Sequence, residues 1–186
     1  SGVGKTDEEL RLALSTPIRS IHVESRAELE VIEALARELG LKARVGLRIN
    51  PNVDPKTHPY IATGIHGTKF GLEVDDARAL LAKIAASDVL ELEAITSHIG
   101  SQLGDLGALR EGVAITAAFL REALDAGHAP TLLDVGGGWP IAYGDEDEAF
   151  PPHNAIGSAI VEGLRDAKAF EGGALLGNVT LGVEPG

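Results

Sequence analysis

The sequence of 186 residues contains no cysteine and no methionine, and its 16 lysines and arginines are outnumbered by 28 aspartates and glutamates. Without cysteine there is no disulfide framework of the kind that staples small secreted domains. No apolar run is long enough to cross a bilayer, and the amino end lacks the basic-then-apolar layout of a secretory signal. These absences place the protein in the cytoplasm. The formal charge of −12 argues against DNA, RNA or an anionic membrane as partner, because phosphate backbones are held by clustered Lys and Arg. No pair of histidines one helical turn apart or other metal-ligand spacing is present, so no metal is expected. No internal repeat or low-complexity tract interrupts the chain. With 44% hydrophobic residues it reads as one compact folded domain with a small-molecule ligand. The chain opens on Ser1 and stops at Gly186, directly after a strand pattern, and reads as a piece of a longer protein.

Apolar residues alternate at Ile21/Val23, Val45/Leu47/Ile49 and Val179/Leu181/Val183, and shorter apolar runs occupy 92–96 and 131–135. These are five expected strands. Between them, Leu29, Ile32, Leu35 and Leu39 fall at helical spacing with Gly40 as a stop, and Leu109, Val113, Leu120 and Leu124 do so with Gly127. Thr6 with Glu9 and Ser25 with Glu28 have the spacing of capping boxes. Alternating strands and helices imply an α/β fold with a parallel sheet, either doubly wound or part of a (β/α)8 TIM-type barrel. Strand parity separates the two. If the apolar positions face the helices, His22, Glu24, Arg48, Thr180, Gly182 and Glu184 share the other face. An open sheet fills both faces with aliphatics, whereas charged groups near inner strand ends suit the mouth of a barrel. A partial barrel is therefore expected.

Three strand patterns end in polar or glycine-rich segments: His98-Ile99-Gly100-Ser101-Gln102, Gly136-Gly137-Gly138 and Glu184-Pro185-Gly186. Consecutive glycines after a buried strand leave main-chain N–H groups open to an anion, usually a phosphate. Convergence of the three ends makes a cofactor pocket. The long connections 50–74 and 139–153 are of functional or mobile length. The acidic run Gly144-Asp145-Glu146-Asp147-Glu148 within the second is read as a solvated loop. Gly4-Lys5-Thr6 imitates the end of a nucleotide-binding P-loop, but Asp7-Glu8-Glu9 would set negative charge beside the phosphates and Thr6 already serves as a helix cap.

Leu47-Arg48-Ile49-Asn50-Pro51, Thr57-His58-Pro59-Tyr60-Ile61-Ala62-Thr63-Gly64 and Lys69-Phe70-Gly71, together with the three strand ends, closely resemble the diaminopimelate decarboxylase family over nearly the whole chain. The ornithine-specific relatives resemble the histidine, glycine and Glu-Pro-Gly motifs without the His-Pro-Tyr-Ile segment. The resemblance implies a pyridoxal 5′-phosphate (PLP) enzyme on an alanine-racemase-like barrel, with residues 1–186 forming a partial PLP-binding barrel domain of about strands four to eight. By the same comparison the first three strands, the lysine that attaches the cofactor covalently and a C-terminal β-domain lie outside this chain. The parent is then a homodimer that decarboxylates meso-2,6-diaminopimelate to L-lysine in lysine biosynthesis, and the piece alone is inactive.

The resemblance implies that Glu184 keeps the pyridine nitrogen protonated, that His98 stacks on the ring, and that Gly136, Gly137, Gly138 and Ser101 hold the phosphate, with Gly186 also at the cofactor. Plainer readings stand beside these: a structural salt bridge for Glu184, a satisfied core position for His98 and an ordinary tight turn for the glycines. Arg48 either braces a polar network around the cofactor or pairs with Glu24. His22, His66, His128 and His153 read as structural. Trp139-Pro140 departs from the family, which more often has a smaller or aliphatic residue followed by glycine. Alternatives for the whole protein are a decarboxylase of ornithine, arginine or another basic amino acid, and a non-catalytic PLP-binding protein.

Overall fold

The computed structural model describes residues 1–53, 70–141 and 150–185. Helix α1 (Asp7–Ser15) opens on a complete capping box: Thr6 Oγ1 accepts the Glu9 N–H and Glu9 Oε2 accepts the Thr6 N–H at 2.8 Å. Strand β1 (Ile21–Val23) leads into α2 (Arg26–Leu39), which stops at Gly40 in the left-handed conformation, φ +65°. Here the expected second capping box is only half formed. Ser25 accepts the Glu28 N–H, but the Glu28 carboxylate is shared between Lys5 Nζ and the Glu24 N–H, both at 2.7 Å, and does not take the Ser25 N–H. Lys5 also donates to the Gly2 and His22 carbonyls, so it is committed to the start of the fold and the P-loop likeness has no structural counterpart.

Strands β2 (Ala43–Ile49), β3 (Leu90–Ser97) and β4 (Leu132–Gly137) alternate with helices α3 (Val74–Ala86), α4 (Leu106–Asp125) and α5 (His153–Asp166). A small antiparallel hairpin, β5 (Phe170–Glu171) with β6 (Ala174–Leu175), precedes β7 (Thr180–Glu184). The five expected strands form one sheet in the order β1-β2-β3-β4-β7, every pair parallel. Each crossover therefore steps one place in the same direction. A doubly wound sheet reverses its order at a switch point, and this one does not, so the chain is an arc of a singly wound barrel-type sheet.

The outward residues Val23, Val45, Leu47, Ile49, Ile95 and Leu133 are buried in one core beneath Leu29, Ile32, Leu80, Phe119, Leu120 and Ile160 of the helices. Cover thins at β7, where Val183 is 42% exposed. Among the described residues no helix is long and apolar enough to cross a membrane.

Neighbouring helices are also joined by charge. Arg11 pairs with Glu38 (α1 to α2), Arg78 with Glu122 (α3 to α4) and Arg110 with Asp166 (α4 to α5), each as a two-pronged guanidinium–carboxylate contact. Between α2 and α3 the link is Glu33, which accepts from Ser87 Oγ at 2.8 Å and Arg37 at 3.0 Å and meets Lys83 Nζ at 3.0 Å. The Ser87 hydroxyl, then Lys83 and Arg37, hold its carboxyl at about 2 against the ordinary 4.5. Because the folded value is depressed, the stabilisation is complete above 4.5 and is lost as pH falls through about 2. Glu33→Gln is expected to cost about 1 kcal/mol near neutrality. Urea unfolding should show that difference shrinking as the pH is lowered below 4.5.

Candidate functional site

The inward parity of the strands brings their carboxyl ends together around a cavity of about 230 Å³. β1 contributes His22, β2 Arg48, and β3 Thr96 and Ser97, with His98 one residue beyond. β4 contributes Asp134, β7 Glu184, and Ser1 closes one side. Two inward glycines make room for these side chains. A Cβ on Gly46 would lie 2.8 Å from His22 Cδ2, and one on Gly182 would lie 3.3 Å from Asp134 Cβ and Cγ.

The three glycines after β4 lock the site's parts to one another. Gly136 has φ +71° and Gly138 φ +76°, in the left-handed region that glycine enters without steric cost. A Cβ on Gly136 would meet the Ser97 carbonyl oxygen at 2.5 Å, and one on Gly138 the Gly100 carbonyl oxygen at 2.0 Å. At Gly137 it would lie 1.5 Å from the Glu184 carbonyl oxygen. The turn is thus wedged between the ends of β3 and β7 and sets His98, Ser101 and Glu184 around itself. Leu103 donates its N–H to the Gly138 carbonyl at 2.9 Å. The side-chain amide of Gln102 both donates to the Ile141 carbonyl at 2.8 Å and accepts the Ile141 N–H at 2.9 Å, binding the β3 and β4 loops into one unit.

Charge is unevenly spread through the pocket. Arg48 resolves its two readings by doing both: it lines the cavity, and its Nη1 donates to Glu24 Oε1 at 2.7 Å. Its guanidinium also lies 5.8 Å from the Phe70 ring centroid. Burial, then the Arg48 charge, pushes the His98 imidazole below its usual range, against the pull of Glu184 and Asp134. His98 is therefore neutral near pH 7. Burial pulls the His22 imidazole below its usual range, helped by Lys5 and Arg48 and opposed by Asp134. Burial raises the Asp134 carboxyl, the Gly136 N–H opposes this, and Glu184 adds to it. His98 Nδ1, Ser97 Oγ, Glu24 Oε2 and Trp139 Nε1 are buried atoms without a hydrogen-bond partner, at or next to this site.

Of the residues expected from sequence, His98 and Glu184 line the cavity, while Ser101 and Gly136–Gly138 sit at its glycine turn. Gly186, His58, Tyr60, His66, Lys69 and the acidic run 144–148 lie outside the described residues. His128 is structural, its Nε2 lying 3.1 Å from the Leu81 carbonyl oxygen, and His153 is the first residue of α5. His22 is not merely structural, since it faces the cavity. Asp134, Thr96 and Ser97 were not expected there. Among the described residues no group of three or more acidic or histidine side chains could hold a metal ion.

Residues 1–186, the whole chain, match the family described as pyridoxal-dependent decarboxylase, pyridoxal binding domain. The chain belongs to this family. Over its full length it is 42% identical to the diaminopimelate decarboxylase of Campylobacter jejuni, of which it covers 44%, and over 91% of its length it is 40% identical to that of Aquifex aeolicus, covering 40%. The crystal structure of the diaminopimelate decarboxylase from Helicobacter pylori complexed with L-lysine superposes with a TM-score of 0.85 at 36% identity, covering 99% of this chain and 44% of that one. A viral arginine decarboxylase bound to agmatine, from Paramecium bursaria Chlorella virus, matches at TM-score 0.67 and 24% identity and so shares the fold. It covers 98% of this chain and 44% of its own. The chain thus spans less than half the length of these relatives.

Proposed function

We propose that these residues are the cofactor-holding part of a PLP-dependent amino-acid decarboxylase acting on meso-2,6-diaminopimelate, with L-lysine and carbon dioxide as products. The carrying observation is the meeting of His98, Glu184 and the Gly136–Gly138 turn at one cavity. The residues fit a cofactor that has a phosphate, a flat ring and a ring nitrogen. Main-chain groups of the glycine turn and the Ser101 hydroxyl would hold the phosphate, on a turn seated so close to the Ser97, Gly100 and Glu184 carbonyls that no Cβ fits. His98, with Nδ1 unpaired, would lie against the ring, and Glu184 would face the nitrogen.

When bound, PLP supplies an electron sink for the pair released as the substrate carboxylate leaves. Glu184 holds a proton on the ring nitrogen by its negative charge, which a neutral partner does not do. His98, kept neutral by burial and by Arg48, packs on the ring without placing a second positive charge there. Glu24 anchors Arg48 and keeps that cation at the wall of the pocket.

The identities of 40–42% to diaminopimelate decarboxylases support this substrate over arginine, whose decarboxylase matches at 24%. No lysine lines the cavity among the described residues, and Lys5 is held by Glu28. The resemblance to the family assigns the attaching lysine to another part of the whole protein, which we take to be a homodimer with further barrel strands and a C-terminal β-domain. The 186 residues alone are expected to release no carbon dioxide.

The test is carbon dioxide release by the full-length protein supplied with PLP and offered meso-diaminopimelate, ornithine and arginine in parallel. Release from diaminopimelate alone is expected. Release only from ornithine or arginine would overturn the substrate, and none despite bound PLP would favour a cofactor-binding protein without this activity.

A further inference from the structure

Asp134 is a carboxylate inside the apolar run Leu132–Val135, only 8% exposed, and neither the resemblance nor the proposed chemistry gives it work. Its surroundings do. The pairing of β4 with β7 shifts register between Asp134 and Gly137, so the regular ladder is interrupted where the strand turns into the glycines. A buried N–H at such a break needs an acceptor from elsewhere. Asp134 Oδ1 supplies it, accepting the Gly136 N–H at 2.9 Å across two residues, a local side-chain-to-backbone bond of the kind that shapes turns. Gly136 is the residue that enters the left-handed region, at φ +71°, where an added Cβ would run into Ser97 and His98. Gly182 opposite leaves the space in which the carboxylate sits.

We propose that Asp134 is the positioning residue of the phosphate cradle: by taking the Gly136 N–H it fixes that peptide and so holds the Gly136–Gly138 turn in the shape that receives the cofactor phosphate. This rests on the reading of the cavity as a PLP site. What matters is an acceptor oxygen at this place, and the negative charge is secondary. Asparagine therefore replaces aspartate, because its amide oxygen has the same reach, whereas alanine or valine does not.

The experiment is equilibrium dialysis of PLP against the full-length protein and its Asp134→Asn, Asp134→Ala and Asp134→Val variants, with the melting temperature of each. The Asn variant should keep its dissociation constant within about twofold, and the Ala and Val variants should weaken by roughly tenfold, the worth of one hydrogen bond to a charged group. Valine suits a buried strand, so it serves if the alanine variant does not fold. Unchanged affinity in Ala and Val, or a tenfold loss in Asn, overturns the role of the acceptor. Failure of the unmodified protein to bind PLP instead overturns the cofactor reading on which it rests.

Discussion

Gly137→Ala is expected to cost about 4 kcal/mol or more of stability and to abolish cofactor binding in the full-length protein. The added Cβ would lie 1.5 Å from the carbonyl oxygen, 2.3 Å from the carbonyl carbon of Glu184 and 3.0 Å from the Pro185 nitrogen. These are backbone atoms of the neighbouring strand, so no rotamer change relieves the clash. Strands β4 and β7 would have to part where Gly137 pairs with Glu184, and the site would open with them. Gly157→Ala is the matching control. It lies on the exposed face of α5 with nothing within 4 Å of its Cβ position and should raise stability by up to about 1 kcal/mol. Unfolding of both variants, followed by far-ultraviolet circular dichroism, checks the contrast; similar effects of the two would show that the turn is not wedged as described.

Glu184→Gln should lower kcat by about a hundredfold while changing PLP affinity much less, because the amide keeps the size of the side chain and removes only its charge. The charge is what tunes the ring, and holding the cofactor falls to the glycine turn. Steady-state carbon dioxide release, with cofactor occupancy measured on the same samples, separates the two contributions. A kcat within about threefold of the unmodified enzyme would return Glu184 to a structural part.

The fold was legible where the chain carries local signals. Thr6 and Ser25 mark helix starts, Gly40 marks a helix end, and the five strands of the sheet follow alternating aliphatics in β1, β2 and β7 and short apolar runs in β3 and β4. Helices α3 and α5 carry no such mark. Glu73 and Pro152 precede them without a side-chain cap, so no capping pair singles out their first turns. The hairpin of β5 and β6 has two residues per strand, too few for periodicity to register.

At the site, parity placed Arg48 and Glu184 on the inner face, and both line the cavity. The same parity applied to β4 would have found Asp134, since Leu133 and Val135 point into the core and the residue between them cannot. A polar acceptor two residues before a glycine that must take positive φ is a second signal. Parity set His22 on the same face, but with no partner pattern in the sequence it read as structural, and the room it needs comes from the missing side chain of Gly46 on the next strand. The Ser25 box failed for a different reason, because Lys5 lies 23 residues from Glu28 and no local pattern shows that it will claim the carboxylate.

The most direct measurement is a crystal structure of the full-length protein with PLP bound. The phosphate is expected on the Gly136–Gly138 turn with the Ser101 hydroxyl, the ring against His98 and its nitrogen facing the Glu184 carboxylate. A cofactor seated away from that turn, or a ring nitrogen facing any group other than Glu184, would contradict the assignment of this cavity.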